Sequence, residues 1–192
     1  MPIDLDDPVA VMLVAAAALE RSGVHCAAYG GLALAMYGEP RETRDADFAV
    51  TGVDLERARL ALADLGVQVV IAFSHVRFGG CDVSRLSLAG GGQANTVDLV
   101  TPRSPRFAES VFRRSVIGSL RGHEIRATSP EDFVILKILA TRERDLEDAR
   151  SVIETQRPRL DDVLIGTEVE RLIQEIPDHD IRGRFARLLV SG

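Results

Sequence analysis

The sequence predicts an α+β protein in which a mixed β-sheet flanked by helices, residues 1–127, precedes an α-helical part, residues 128–192. Two patterns predict this division. Short apolar segments separated by glycine, asparagine, aspartate or proline, which are typical of strands and turns, fill most of the first part. From Ser129 onward the segments have helical spacing, and Ser129-Pro130-Glu131-Asp132 supplies the cap, first-turn proline and early acids of a helix start.

The first predicted element is a helix in the apolar run of residues 9–19. Asp6 or Asp7 is a suitable N-cap, Pro8 fits the first turn, and Gly23 is a suitable end. Acidic residues precede the run where a signal peptide carries positive charge, and the run is too short to span a bilayer. We therefore expect a buried helix and no association with a membrane.

The remaining elements follow in order along the chain. We expect strands at residues 25–29, 47–50, 67–73, 75–78, 83–88 and 96–100, with helices between them at 32–37 and 55–65. Gly90-Gly91-Gly92 is most simply a hairpin turn. The second part predicts helices at residues 131–140, 146–155, 160–166, 168–175 and 181–190.

The composition, 46% hydrophobic with a net charge of −6, indicates a globular protein that does not coat nucleic acid through its overall charge. Cys26 and Cys81 belong to no disulfide or zinc pattern, so we expect a reducing cytoplasm. A local basic strip could still follow an RNA backbone, although a solvated face balanced by acids is the more common meaning of such a run. The strip consists of Arg103, Arg106, Arg113, Arg114, Arg121 and Arg126.

Two carboxylates, those of Asp45 and Asp47, enter a segment that otherwise has the apolar pattern of a buried strand. Residues two apart in a strand point to the same face, and their side chains lie about 7 Å apart. Two unpaired carboxylates at that distance repel by roughly 2 kcal/mol at an effective dielectric near 20. We therefore expect a positive charge between them, and Mg²⁺, which prefers carboxylate oxygens and substrate phosphates, is suitable.

A third carboxylate and a glycine pair strengthen this interpretation. Asp98 lies between Val97 and Leu99, and an adjacent strand would bring it about 4.8 Å from the first pair. Three acids around two metal ions meet the needs of in-line nucleotidyl transfer. Gly30 and Gly31 precede a predicted helix, where the absence of Cβ lets backbone N–H groups approach a phosphate. Each feature alone has an ordinary explanation, but together they predict a site for metal and triphosphate.

These motifs resemble those of a known family. Tyr29-Gly30-Gly31, Asp45-Ala46-Asp47-Phe48 and Val97-Asp98-Leu99 resemble the nucleotidyltransferase superfamily related to DNA polymerase β. The stretch from Gly38 through Pro40, Arg41 and Thr43 to Asp47 is similar to the AbiEii-like toxin nucleotidyltransferases, and so is the later pattern of Lys137, Arg142, Asp145 and Asp148. The resemblance covers roughly residues 25–155 and implies a nucleotidyltransferase-type core in residues 1–127, with a helical subdomain at 128–192 that completes the active site.

The resemblance also implies roles for individual residues. Asp45 and Asp47 would hold Mg²⁺ in a two-metal site, and Asp98 would complete that site or act as base for the acceptor hydroxyl. Lys137 would reach the triphosphate of the NTP substrate, and Asp148 or Asp145 would organise the lysine or the acceptor. The glycine pair, Arg41 and Thr43 would belong to the nucleotide-binding side. Gly31 stands where many relatives carry serine, so that a hydroxyl contact to phosphate is missing.

Three residues also have ordinary explanations. Lys137 is surrounded by apolar neighbours on a helix that is apolar nearly all round, and it could extend its amine to the surface instead of contacting a nucleotide. Asp145 and Asp148 could form exposed ion pairs with the arginines around them.

Three functions are consistent with these residues. The first is transfer of NMP from an NTP to the 3′ end of a tRNA by the toxin of a toxin–antitoxin pair, which would also have an antitoxin partner. The second is a small-molecule, antibiotic-modifying nucleotidyltransferase, which an acidic acceptor pocket would favour. The third, a degenerate nucleotide-binding module, is disfavoured because the three acids and the lysine are all present.

Overall fold

The computed structural model describes residues 3–189 and contains seven strands within them. The strands are β1 (Cys26–Tyr29), β2 (Ala46–Val50), β3 (Gln68–Phe78), β4 (Cys81–Gly90), β5 (Gln93–Pro102), β6 (Val116–Leu120) and β7 (His123–Ala127). They form one sheet in the order β3-β4-β5-β2-β1-β7-β6. The pairs β2–β5 and β1–β7 are parallel, and the other neighbours are antiparallel. The predicted mixed sheet flanked by helices is confirmed.

Eight helices accompany the sheet in the described part of the chain. They are α1 (Pro8–Arg21), α2 (Gly30–Leu34), α3 (Leu55–Ala63), α4 (Pro105–Arg114), α5 (Pro130–Leu139), α6 (Glu143–Gln156), α7 (Asp162–Glu175) and α8 (Ile181–Leu189). Asp7 caps α1 by accepting from the amides of Val9 and Ala10, and Ser129 caps α5 through the amide of Asp132. Within residues 3–189, no helix combines the length and apolar character needed to cross a bilayer.

The two faces of the sheet have different surroundings. Phe48, Val97 and Leu99 alternate with the carboxylates of β2 and β5 and are fully buried. Helices α1, α3 and α4 pack against the sheet and cover this apolar face. Residues Asp47 and Asp98 point to the other face, which α5 and α6 border. The carboxylates therefore lie in a cleft between the sheet and the helical second half.

Several element predictions are wrong in detail. Residues 67–73 and 75–78 form one strand, β3, in which two bulges interrupt the alternation. The two helices predicted at 160–166 and 168–175 are one helix, α7, which begins at Asp162, because packing of its apolar side holds the helix through Gly166 despite the low propensity of glycine. The short helix α2 begins at the glycine pair, not after it. Residue 190 of the last predicted helix lies outside the described residues.

The arginine-rich segment after β5 contains structure that the sequence analysis missed. Ser104 caps α4, whose buried side carries Phe107 and Val111. The hairpin β6–β7 follows and extends the sheet beside β1. Charged residues on exposed faces hide the periodicity of both elements, because only one side of α4 and alternate positions of β7 are buried.

Candidate active site

One row of side chains crosses five neighbouring strands on the open face of the sheet. Residues directly opposite each other in register point to the same side. The register pairs Tyr29 with Asp47, Asp47 with Asp98, Asp98 with Arg85, and Arg85 with Phe73. The row therefore runs from an aromatic ring in β1 through two carboxylates and a guanidinium to an aromatic ring in β3. The sequence pattern predicted that Asp98 lies beside Asp47, and the register places it there.

Asp45 lies next to this row, just before β2. Its Oδ1 accepts a hydrogen bond from the Thr96 hydroxyl at 2.7 Å, and Thr96 is on β5 two residues before Asp98. Its side chain is 45% exposed, whereas that of Asp98 is 10% exposed. Asp45 therefore has room for a further ligand, while Asp98 is held deep in the cleft.

Arg85 is the main counter-charge of the carboxylates. Its Nε donates to Asp98 Oδ1 and its Nη2 donates to Asp98 Oδ2, both at 2.7 Å, and Nη2 also lies 3.4 Å from Asp45 Oδ2. The hydrogen bond with Asp98 raises the pKa of Arg85 further, so the group is a permanent cation. Sequence analysis missed this residue. The sequence feature that could have revealed it is a single charged residue between Val83 and Ser87, in a strand where it alternates with the buried Leu86 and Leu88.

Asp47 has no such partner. It forms no ion pair within residues 3–189, although Lys137 and Arg142 are near enough to affect its pKa. Burial raises the pKa of Asp47 to about 7, the Asp98 carboxylate adds to the rise, and Lys137 opposes it. A carboxylate with too little positive charge around it is suited to receive a cation.

Gly30 is required by its contact with Asp47. It has a φ of +73°, and a Cβ at this position would overlap the Asp47 carboxylate. Gly31 is restricted differently, because a Cβ there would lie 2.9 Å from both Arg41 Nη1 and Thr43 Cβ. The glycine pair thus lets the first turn of α2 lie directly between the Asp47 carboxylate and the connection that leads to β2. The structure places Thr43 against this turn.

Lys137 is buried and does not reach the surface, so the surface interpretation of this residue is wrong. Its side chain is 3% exposed, and its Nζ lies 3.1 Å from Asp145 Oδ1 and 2.8 Å from Asp148 Oδ2. The rings of Tyr29 and Phe133 lie 5.2 Å and 5.5 Å from the amine.

Asp145 and Asp148 are also buried, which corrects the alternative that they form exposed ion pairs. Asp148 receives two hydrogen bonds from Arg41, at 2.8 and 2.9 Å. Burial alone would raise the pKa of Asp148, but the bonds from Arg41 and Lys137 hold it below its ordinary value. Asp145 also accepts from the Arg142 amide at 3.1 Å at the start of α6. The structure therefore joins Arg41, Lys137 and both aspartates into one network beside the carboxylate row.

Two cavities flank the carboxylates. The first, of about 220 Å³, is called here the aromatic cavity; its lining includes Tyr29, Phe73, Phe78, Arg85, Asp98 and Lys137. The second, of about 460 Å³, is called the acidic cavity; its lining includes Asp6, Arg44, Asp45, Ser87, Asn95 and Thr96. Arg85 and the carboxylates thus separate a cavity rich in aromatic and cationic groups from one beside the start of α1.

The bulges of β3 create the aromatic side of the first cavity. In regular pairing from Ile71 opposite Leu86, Phe73 would lie opposite Ser84 and point to the covered face. The first bulge pairs Phe73 with Arg85 instead, and the second, where His75 has a φ of +51°, returns Phe78 to the same face. The two phenylalanine rings lie 6.5 Å apart. This rearrangement could not be predicted from alternation.

The predicted basic strip is not a continuous exposed surface of free cations. Four of its six arginines form ion pairs: Arg103 with Asp178, Arg106 with Glu168 and Glu175, Arg114 with Asp132, and Arg121 with Asp7. Arg113 and Arg126 donate to Ser110 and Ser115. The segment folds as α4 and a hairpin, which distribute these side chains over different surfaces.

The donor set has the chemistry that a magnesium site requires. Three carboxylates offer hard oxygen ligands, and Asp47 is left without a counter-charge. As the side chains stand, however, no three acidic, histidine or cysteine groups in the described residues converge on one point closely enough to hold an ion. The Arg85 guanidinium lies between Asp98 and Asp45. Asp45, Asp47 and Asp98 would have to approach one another, with that guanidinium displaced, to hold a divalent cation.

No protein-family profile and no curated protein sequence matches the chain significantly. Its fold is similar to that of the crystal structure of ANT(2″)-Ia in complex with adenylyl-2″-tobramycin, with 16% identity, 92% of this chain and 98% of the other covered, and a TM-score of 0.53. It is also similar to an antigenic nucleotidyltransferase-like protein from Paracoccidioides brasiliensis, with 20% identity, 93% and 92% covered, and a TM-score of 0.52. At these identities the similarity shows a nucleotidyltransferase fold.

Proposed function

We propose that the chain is a Mg²⁺-dependent nucleotidyltransferase that moves NMP from an NTP to an acceptor hydroxyl. The observation that carries the proposal is the register that sets Asp98 opposite Asp47, whose carboxylate lies against Gly30. Asp45, Asp47 and Asp98 would hold the metal. When bound, the metal supplies neutralisation of the triphosphate and activation of the acceptor oxygen. The fold neighbours described as nucleotidyltransferases support the same reaction class.

The protein's own residues bind and orient the nucleotide. Lys137 and Arg142 line the aromatic cavity and present positive charge to a triphosphate. Asp145 and Asp148 fix the lysine amine in place, so its position is set before the substrate arrives. The helices of residues 128–192 supply Lys137, Asp145 and Asp148 of this network, and Arg41 comes from the core. We therefore propose that this part completes the active site of the core formed by residues 1–127.

The acceptor has two candidates. The resemblance implies a tRNA 3′ end, with the protein acting as a toxin controlled by an antitoxin. The ion-paired arginines of residues 103–126 weaken the electrostatic reason for RNA binding. The acidic cavity favours the alternative, a small cationic acceptor, because Asp6 and Asp45 line it. Asp4 lies nearby, since the Gln93 amide donates to both Asp4 and Asp6. A fold neighbour whose complex contains adenylyl-2″-tobramycin supports this alternative.

The proposal is tested by incubating the purified protein with each labelled NTP and Mg²⁺ in separate reactions with tRNA and with tobramycin. We expect label to move to one acceptor class, and we expect Asp45→Asn to abolish the transfer while the protein stays folded. Product on tobramycin but not on tRNA would select the small-molecule acceptor, and the reverse result would select the toxin function. Transfer to neither acceptor, together with no pyrophosphate release from any NTP, would contradict the proposed reaction.

A further inference from the structure

We propose that Arg85 is a built-in counter-cation, which occupies the carboxylate site while the site holds no divalent metal and is displaced when the metal binds. This inference rests on the proposed function, because it assigns the metal to Asp45, Asp47 and Asp98. It adds to that function an arginine that competes with the metal for the same oxygen atoms.

The geometry of the guanidinium carries the inference. Arg85 occupies both oxygens of Asp98 at 2.7 Å and one oxygen of Asp45 at 3.4 Å. A magnesium ion needs carboxylate oxygens at about 2.0–2.1 Å, and the lone pairs that it would use are those to which Arg85 donates. A cation held between Asp45 and Asp98 would also lie against a permanently charged guanidinium. Metal and Arg85 therefore cannot share these two carboxylates in the arrangement seen.

The charge balance explains why an arginine lies there. Three carboxylates line a partly buried cleft, and without a cation they would repel one another. Arg85 neutralises one charge, comes from the strand directly beside Asp98, and forms no ion pair with Asp47. One guanidinium stabilises the cleft while leaving enough negative charge to attract a divalent ion.

The displaced guanidinium has a place to go within the cavity. Its Cζ already lies 5.6 Å from the centre of the Phe73 ring, and both residues line the aromatic cavity. The side chain is 33% exposed, so it can rotate toward the cavity without disturbing the core. In that position it would face the phosphates of a bound nucleotide. Metal binding would thus exchange the carboxylate that Arg85 contacts for a phosphate.

The test measures Mn²⁺ affinity without nucleotide, by electron paramagnetic resonance or calorimetry. Arg85→Gln should bind Mn²⁺ at least about tenfold more tightly than the wild-type protein, because a bidentate charge-assisted pair no longer competes. The metal-free variant should melt at a lower temperature than the wild type, and Mn²⁺ should raise its melting temperature more. Arg77→Gln is the matched control, since Arg77 pairs with Asp82 on the same hairpin but toward the other sheet face; it should change neither quantity.

Unchanged or weaker Mn²⁺ binding by folded Arg85→Gln would overturn the inference. If that variant does not fold, Arg85→Lys decides, because a lysine cannot reproduce the bidentate pair and should also bind Mn²⁺ more tightly than the wild type; equal affinity would overturn the inference. The proposed function fails separately. If neither the wild type nor Arg85→Gln binds Mn²⁺, the metal assignment itself is wrong, whereas Mn²⁺ binding that is lost in Asp45→Asn but unaffected by Arg85→Gln would reject the role of Arg85 alone.

Discussion

Among residues 3–189, two of the partly buried groups of charged side chains are built differently. The first joins α4, α5 and α7 and is called here the acid–arginine cluster; it consists of Arg106, Arg114, Asp132, Glu168 and Glu175. Asp132 is fully buried, and Arg114 donates to both of its oxygens at 2.6 and 2.9 Å. Glu168 lies 2.7 Å from Arg106 and 3.6 Å from Arg114. Every carboxylate in this cluster has an arginine.

The cleft has a larger excess of carboxylates, because one arginine accompanies three acids there and two arginines accompany three acids in the cluster. Arg85 pairs with Asp98 and Asp45, and Asp47 forms no ion pair among residues 3–189. A buried charge left without a partner is costly, so the pairing in the acid–arginine cluster is what a structural role requires. Under-compensation in the cleft has no structural benefit, which supports the proposed ligand. Under the proposed function, the balance of charge, more than burial, separates the functional acids from the structural ones.

The largest expected effect comes from a substitution that breaks the acid–arginine cluster. Asp132→Asn should lower the free energy of unfolding by about 3 kcal/mol, because it removes the charged pair that Arg114 forms with the fully buried Asp132. Denaturant unfolding followed by circular dichroism measures the change. Glu170→Gln is the control: its partner Arg182 is 65% exposed, so its loss should cost at most about 1 kcal/mol. Equal losses in both variants would show that the cluster is not a buried structural network.

Asp47→Asn should have the reverse effect to Asp132→Asn, because it should lower activity and not stability. We expect nucleotide transfer to fall by at least about a hundredfold, which corresponds to roughly 2.7 kcal/mol at the transition state. The fold should keep or gain stability, because repulsion with Asp98 is relieved. Initial rates and thermal melting measure the two effects. Asp82→Asn, which changes a strand carboxylate of the same sheet outside the cleft, should leave the rate unchanged. Retained activity in Asp47→Asn would remove this residue from the site.

The Lys137 network has features of both groups, since its charges are well paired, as in the acid–arginine cluster, but it lines the aromatic cavity. Lys137→Ala should weaken NTP binding by about tenfold, and Lys137→Arg should restore little, because a planar guanidinium does not fit the place of an ammonium between Tyr29 and Phe133. Titration with a fluorescent NTP analogue measures this. Arg144→Ala, at an exposed position of α6, is the control. Wild-type affinity in Lys137→Ala would make the lysine purely structural.

The smallest expected effect concerns the turn beneath the cleft. Gly31→Ser should lower the free energy of unfolding by about 1 kcal/mol, because the new side chain crowds Arg41 and Thr43. Thermal melting measures the change. Gly166→Ala is the control, because open space surrounds Gly166 in α7 and alanine should stabilise that helix. A Gly31→Ser protein as stable as the wild type would show that the turn can accommodate the serine of the resembled family.

Much of the fold and the carboxylate row could be predicted from the sequence, because apolar alternation locates strands and a lone acid within such a strand is a conspicuous exception. Arg85 and Phe73 could not be predicted in the same way. Their juxtaposition depends on register and on two bulges, which no local pattern encodes. The burial of Lys137 could not be decided either, because its partners Asp145 and Asp148 come from a different helix.

The bulges of β3 also bear on how such a chain can change length over generations. A codon lost at Ala72, the extra residue of the first bulge, would leave Phe73 opposite Arg85 and keep both sheet faces as they are. A codon lost from the regularly paired part of β4 would instead exchange the two faces of the strand beyond it. The spacing between Phe73 and the motifs that precede it can therefore change while the cavity persists, and relatives should be sought by strand pairing, with the residue count between motifs left free.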